Sequence, residues 1–134
     1  MGLRKNSILI VDDQPGVRRL LLEALSQAGF RVCQAASGEE GLQKIIAEKP
    51  SLAILDMKMP GMSGVEFLRE LHRRACSLPV IVVTAYEDKE LAEQARKLGV
   101  RYFLHKPFDL SHLYHLVDAA LAQSCYSQLE IVTG

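Results

Sequence analysis

Two aspartates stand side by side at positions 12 and 13, directly after the apolar run ILIV. Their charges repel: two unit charges ~4 Å apart cost on the order of 4 kcal/mol at the effective dielectric near a protein surface. A bound cation between them removes that cost. Three more reactive side chains follow apolar runs in the same way: Asp56 after LAIL, Thr84 after PVIVV, and Lys106 shortly after RYFL. Three hard oxygen donors from two non-adjacent loops suit Mg²⁺, which takes few protein ligands and keeps waters for a phosphorylated partner. A carboxylate also attacks phosphorus and forms an acyl phosphate. Asp56 stands alone after its run and fits the nucleophile, whereas Asp12 and Asp13 fit the metal holders. Lys106 offers a mobile point charge to a phosphoryl oxygen, and Thr84 offers a hydrogen bond. Together they describe an aspartyl-phosphate site.

That chemistry requires the four segments to meet, and the periodicity supplies the frame. Apolar runs at Ser7–Val11, Arg31–Ala35, Leu52–Leu55, Pro79–Val83 and Arg101–Leu104 alternate with five helical patterns. The first helix carries Val17, Leu20, Leu21, Ala24, Leu25 and Ala28 at steps of three and four and ends at Gly29. Ser37 with Glu40 reads as a capping box for a helix through Glu48. Val65, Leu68 and Leu71 mark a third, and Leu91, Ala95 and Leu98 a fourth that stops at Gly99. Asp109 or Ser111 caps a fifth through Leu113, Leu116, Val117, Ala120 and Leu121. Strand and helix alternating in this way imply parallel strands joined by right-handed crossovers. The expected fold is α/β, a doubly wound five-stranded parallel sheet with five helices. RVCQA alternates in polarity and is the candidate edge strand. In such sheets the functional crevice lies at the carboxyl ends of the strands.

Composition narrows the classes. The chain has 134 residues, 49% apolar and 24% charged, with 16 basic and 16 acidic side chains. One domain with a real core is expected, and no bulk charge draws it to nucleic acid or an anionic membrane. No apolar run reaches the ~20 residues of a membrane helix, and MGLRKNS does not read as a signal peptide. Cys33, Cys76 and Cys125 are odd in number and widely spaced, which points to a reducing, cytoplasmic setting rather than a disulfide framework. His112 and His115 lack companion ligands and read as a solvated face.

The segments ILIVDD (8–13), ILDMKMPGMSG (54–64), VVTAY (82–86) and HKPF (105–108), in this order, resemble the receiver domains of two-component response regulators over about residues 6–122. The resemblance implies the flavodoxin-like strand order 2-1-3-4-5 and phosphorylation of Asp56 by a histidine kinase or a histidine phosphotransfer protein. It implies Mg²⁺ held by Asp13, Asp56 and the main-chain carbonyl of Lys58, with Asp12 acting through water. Lys106 would pair with the phosphoryl group, the Lys106–Pro107 peptide would be cis, and Thr84 would be the switch hydroxyl with Phe103 as its coupled aromatic. Phe103 has no hydroxyl, unlike the tyrosine common in chemotaxis-type receivers, and Tyr102 is expected on the other face of its strand. Lys58 and Tyr86 would shield the acyl phosphate and lengthen its life.

Within the family the chain is most similar to the single-domain type of the sporulation phosphorelay. The corresponding partner surface is Gln14, Pro15, Gly16, Val17, Arg18, Pro60, Gly61, Tyr86, Pro107 and Phe108, though Pro15 and Arg19 depart from that type. The implied protein is not an enzyme beyond its own phosphoryl transfer and dephosphorylation, and is a monomer or a weak phosphorylation-dependent dimer. The alternative is the receiver portion of a larger DNA-binding transcription regulator. A haloacid dehalogenase-like phosphatase would need an acid two residues after Asp56, where Lys58 stands, and a flavodoxin would not place two aspartates against a phosphate. Residues 123–134 fit no unit, as either a frayed end or a short packed extension.

Overall fold

Each apolar run pairs as a strand, and each amphipathic run after it returns the chain to the same edge of the sheet. The computed structural model describes the backbone of residues 6–133 and the side chains of residues 6–122. Its elements are β1 (Ser7–Val11), α1 (Pro15–Gln27), β2 (Arg31–Ala35), α2 (Gly38–Glu48), β3 (Leu52–Asp56), α3 (Gly64–Arg73), β4 (Val80–Ala85), α4 (Lys89–Lys97), β5 (Tyr102–Lys106) and α5 (Leu110–Thr133). All pairings are parallel, in the order β2-β1-β3-β4-β5. The chain therefore reverses its winding between β1 and β3, and a crevice opens at the carboxyl ends of these strands.

Period-two alternation sorts each strand between two helical layers. Leu9, Val11, Leu55 and Val82 pack with Leu42 of α2, Phe67 and Leu68 of α3 and Ala95 of α4. Ile8, Ile10, Ile54, Ile81, Val83 and Leu104 pack with Leu21 and Leu25 of α1 and Leu113 and Val117 of α5. Burial on both faces explains why the central runs are apolar throughout, each large side chain contributing about 1.5–3 kcal/mol. β2 stands at the edge of the sheet, as its mixed polarity predicted, and leaves Arg31 and Gln34 exposed.

The helix ends follow local chemistry. Gly29 and Gly99 end α1 and α4 in the left-handed region (φ 95° and 97°). Lys49 (φ 48°) and Ala75 (φ 53°) fill the same role after α2 and α3 without glycine. Ser37 accepts from Glu40 N at 3.2 Å, but the Glu40 carboxylate accepts from Ala36 N at 2.8 Å, so the expected box is shifted by one residue. The complete capping box is at α3, where Ser63 and Glu66 exchange bonds of 3.3 and 3.2 Å. Asp109 caps α5 through His112 N at 2.7 Å. The backbone of α5 continues as helix to Thr133, so residues 123–133 extend that element. The side chain of Cys125 lies outside the described residues.

Candidate functional site

The first question is whether the acidic pair merely caps α1. It does not: the N-cap is Gln14, which makes no side-chain capping bond. The Asp12 carboxylate instead accepts from Gln14 N at 2.9 Å, and its main-chain carbonyl accepts from the Arg18 guanidinium at 2.7 Å. These contacts aim the carboxylate of a nearly fully buried residue across the crevice rather than along the helix. Asp56 is held by the same device, its Oδ1 accepting from Lys58 N at 3.2 Å. As a result, carboxylate oxygens of Asp12, Asp13 and Asp56 lie within 4.8 Å of one another.

The crowding has an electrostatic consequence. Burial pushes the Asp56 carboxyl up, the Asp12 charge adds to it, and together they raise its pKa from 3.8 to about 6. Burial also raises Asp12, against the lowering effect of the Gln14 N–H and the Lys106 charge. Lys106 draws Asp56 down as well, so its ammonium faces the same acidic cluster. Three convergent hard oxygens whose ionised forms destabilise one another are a donor set that fits Mg²⁺.

β1 and β2 keep the bounds read from the sequence, whereas β3, β4 and β5 run one or two residues further at their carboxyl ends, and this is what aligns the remaining groups. Asp56 pairs with Val83, Thr84 with His105, and Ala85 with Lys106, so the reactive residues occupy the last rungs of the sheet. Thr84 is buried, and among the described residues its hydroxyl reaches only the Ala85 carbonyl at 3.5 Å. The Lys106–Pro107 peptide is cis, as the resemblance implied. Phe103 packs into the α2/α3/α4 layer with the Arg96 guanidinium 4.9 Å above its ring. Tyr102 lies on the opposite face, its hydroxyl 3.4 Å from the Ala119 carbonyl.

The residue range 8–118 matches the response regulator receiver domain family. The chain belongs to this family. Among the receiver's relatives, sporulation initiation phosphotransferase F of Bacillus subtilis is 38% identical over 119 residues, covering 89% of this chain and 96% of the relative. Transcriptional regulatory protein GlrR of Escherichia coli is 40% identical over 124 residues, covering 92% of this chain but only 28% of its own length. A response regulator receiver domain protein from Clostridium thermocellum superposes with a TM-score of 0.84 at 29% identity, covering 90% of this chain and 98% of that one. NtrX from Brucella abortus gives 0.89 at 28% identity over 96% of this receiver and 29% of its own chain.

Around the crevice, Gln14, Pro15, Gly16, Pro60, Gly61, Tyr86 and Pro107 are exposed, and Val17, Arg18 and Phe108 are partly so. Arg18 is engaged within the receiver, holding the Asp12 carbonyl and Gln34 (3.2 Å). His112 and His115 are exposed on α5. Two features escaped sequence reasoning. Lys58 forms an ion pair with Asp88 at 3.1 Å, joining the loop after β3 to the loop after β4. Tyr86 stacks on His105, with ring centroids 4.4 Å apart and planes 13° from parallel. Neither had a local signal, since each joins residues far apart in sequence.

Proposed function

We propose that the chain is a phosphoacceptor response regulator that takes a phosphoryl group from a phosphohistidine donor onto Asp56. In the transfer, an Asp56 oxygen forms the new bond to phosphorus as the bond from phosphorus to the donor imidazole nitrogen breaks, and the imidazole leaves. Asp13, Asp56 and the Lys58 main-chain carbonyl would hold Mg²⁺ directly, with Asp12 acting through water. When bound, the ion offsets charge on the carboxylates and phosphoryl oxygens. Lys106 contributes a further positive charge, and Thr84 donates its hydroxyl to a phosphoryl oxygen. The observation that carries this reading is the meeting of three carboxylates within 4.8 Å at the carboxyl edge of a receiver sheet.

The receiver is a signalling domain, and its partners on this reading are a histidine kinase, a histidine phosphotransfer protein, or both. They would engage the loops carrying Gln14, Pro15, Pro60, Gly61, Tyr86, Pro107 and Phe108. Among the described residues no helix is long and apolar enough to cross a membrane, and we place the protein in the cytoplasm as a monomer or weak phosphorylation-dependent dimer. Residues 6–122 form the receiver and 123–134 its extension. A transfer assay from a histidine-phosphorylated phosphotransfer domain tests the reading. Label passing to wild type but not to Asp56→Asn is expected, and label on the asparagine variant would overturn it. The second reading, a receiver working within a larger DNA-binding regulator, rests on the 40% identity to GlrR. The size of the native protein on an immunoblot of its own cells decides between them.

A further inference from the structure

His105 carries a buried Nδ1 that has no hydrogen-bond partner among the described residues. An unpaired buried nitrogen costs stability that a phenyl ring of similar shape would not, so its presence calls for a physical reason. The ring is fixed in place by its stack on Tyr86, 4.4 Å between centroids. Directly across the sheet from His105 stands Thr84, its register partner on β4. Register partners on neighbouring parallel strands project to the same face, here the face that also takes Val82 and Phe103. Thr84 is buried, and the one acceptor its hydroxyl meets among the described residues, the Ala85 carbonyl, is at the 3.5 Å limit of a hydrogen bond. A hydroxyl with a poor acceptor thus stands on the same rung and face of the sheet as a ring nitrogen with no partner among the described residues, and rotation about the threonine χ1 is the motion that can bring them together.

We propose that His105 is a positioning residue of this site: its Nδ1 is the resting acceptor for the Thr84 hydroxyl, and Tyr86 holds the ring in place to receive it. The inference rests on reading Asp56 as phosphoacceptor and Thr84 as the hydroxyl that meets the phosphoryl group. Acceptance at Nδ1 fixes the neutral tautomer with its hydrogen on Nε2. In the unphosphorylated protein a turn about χ1 carries the Thr84 hydroxyl from the weak Ala85 contact to His105, which then retains it. On phosphorylation it turns to a phosphoryl oxygen and Nδ1 loses its donor. The change then reaches the protein surface through the imidazole and the ring of Tyr86, which is 65% exposed. This route does not need a phenol at position 103, where the chain has phenylalanine.

The direct test is the ¹⁵N shift of His105 Nδ1 in the unphosphorylated full chain, compared between wild type and Thr84→Val. Loss of the hydroxyl is expected to move Nδ1 towards the value of an unbonded pyridine-type nitrogen; an unchanged shift overturns the proposal. The second test is kinetic. His105→Phe keeps the stacked ring and removes the acceptor, so acetyl phosphate should modify Asp56 about two- to ten-fold faster, the worth of one ordinary hydrogen bond. In a Thr84→Val background the same substitution should change nothing. An equal effect in both backgrounds would mean that His105 only packs, and would overturn the proposal. If wild type takes no phosphoryl group at all, the reading of Asp56 fails, while the nitrogen shift still decides the role of His105.

Discussion

Replacing Asp56 with asparagine is expected to make the metal-free protein more stable at neutral pH while abolishing its chemistry. Asp56 is only 6% exposed, and burial together with the Asp12 charge raises its pKa from 3.8 to about 6. Between those two values the folded protein keeps a proton that the unfolded chain has released. Stability therefore falls as pH rises from about 4 to about 6, and above that range the loss is complete. At 1.36 kcal/mol per pH unit the interval amounts to about 3 kcal/mol at pH 7. Asparagine keeps the shape and can accept the Lys58 N–H, but its buried amide group needs a partner of its own, which costs on the order of 1 kcal/mol. The net gain is about 1–3 kcal/mol, or roughly 4–10 °C in Tm for a chain of this size. Urea unfolding in EDTA at pH 7.5 and pH 4 measures it. The variant should lead clearly at pH 7.5, the gap should narrow at pH 4, and Mg²⁺ should restore wild type more than the variant. An Asp56→Asn protein no more stable than wild type at pH 7.5, or a gap independent of pH, would refute the electrostatic reasoning.

The remaining expectations concern the frame and the shield. A Cβ added at Gly64 would lie 2.6 Å from the Cα of Met57, the residue after Asp56, so Gly64→Ala should cost about 2 kcal/mol or more in calorimetry. Gly16 has open space around it, and Gly16→Ala should instead add up to about 1 kcal/mol; equal effects at the two sites would contradict the contact argument. Ala75 is left-handed at φ 53°, so Ala75→Gly should stabilise by about 0.5–1 kcal/mol in urea unfolding. Lys58 and Tyr86 flank the site, and the phosphoryl group on wild type should persist well beyond seconds. Its decay, followed by intact mass, should quicken in Tyr86→Ala, and wild-type decay within seconds would refute the shielding.

The parts of this molecule that follow from local pattern were legible in the sequence. Strand periodicity placed Asp12, Asp13, Asp56, Thr84 and Lys106 at one edge, because parallel crossovers return every strand end to the same side. Gly29, Gly99 and Asp109 marked helix ends by chemistry that acts within a few residues. The box at Ser63 and Glu66 has the same local signal, a serine and a glutamate three residues apart. What could not be read depends on distant segments meeting. The Lys58–Asp88 ion pair and the Tyr86–His105 stack arise only once β4 and β5 are in register and the loops fold over the crevice. Arg18 illustrates the limit from the other side: its place near the site was foreseen, but its hold on the Asp12 carbonyl needed the fold.

On the proposed reading Asp56 accepts a phosphoryl group in a Mg²⁺-dependent reaction. Intact mass after incubation with acetyl phosphate tests it most directly, on wild type and Asp56→Asn, each with Mg²⁺ and with EDTA. One phosphoryl adduct on wild type with Mg²⁺, absent from the other three samples, is the predicted result. An adduct that survives EDTA or forms on Asp56→Asn would contradict it.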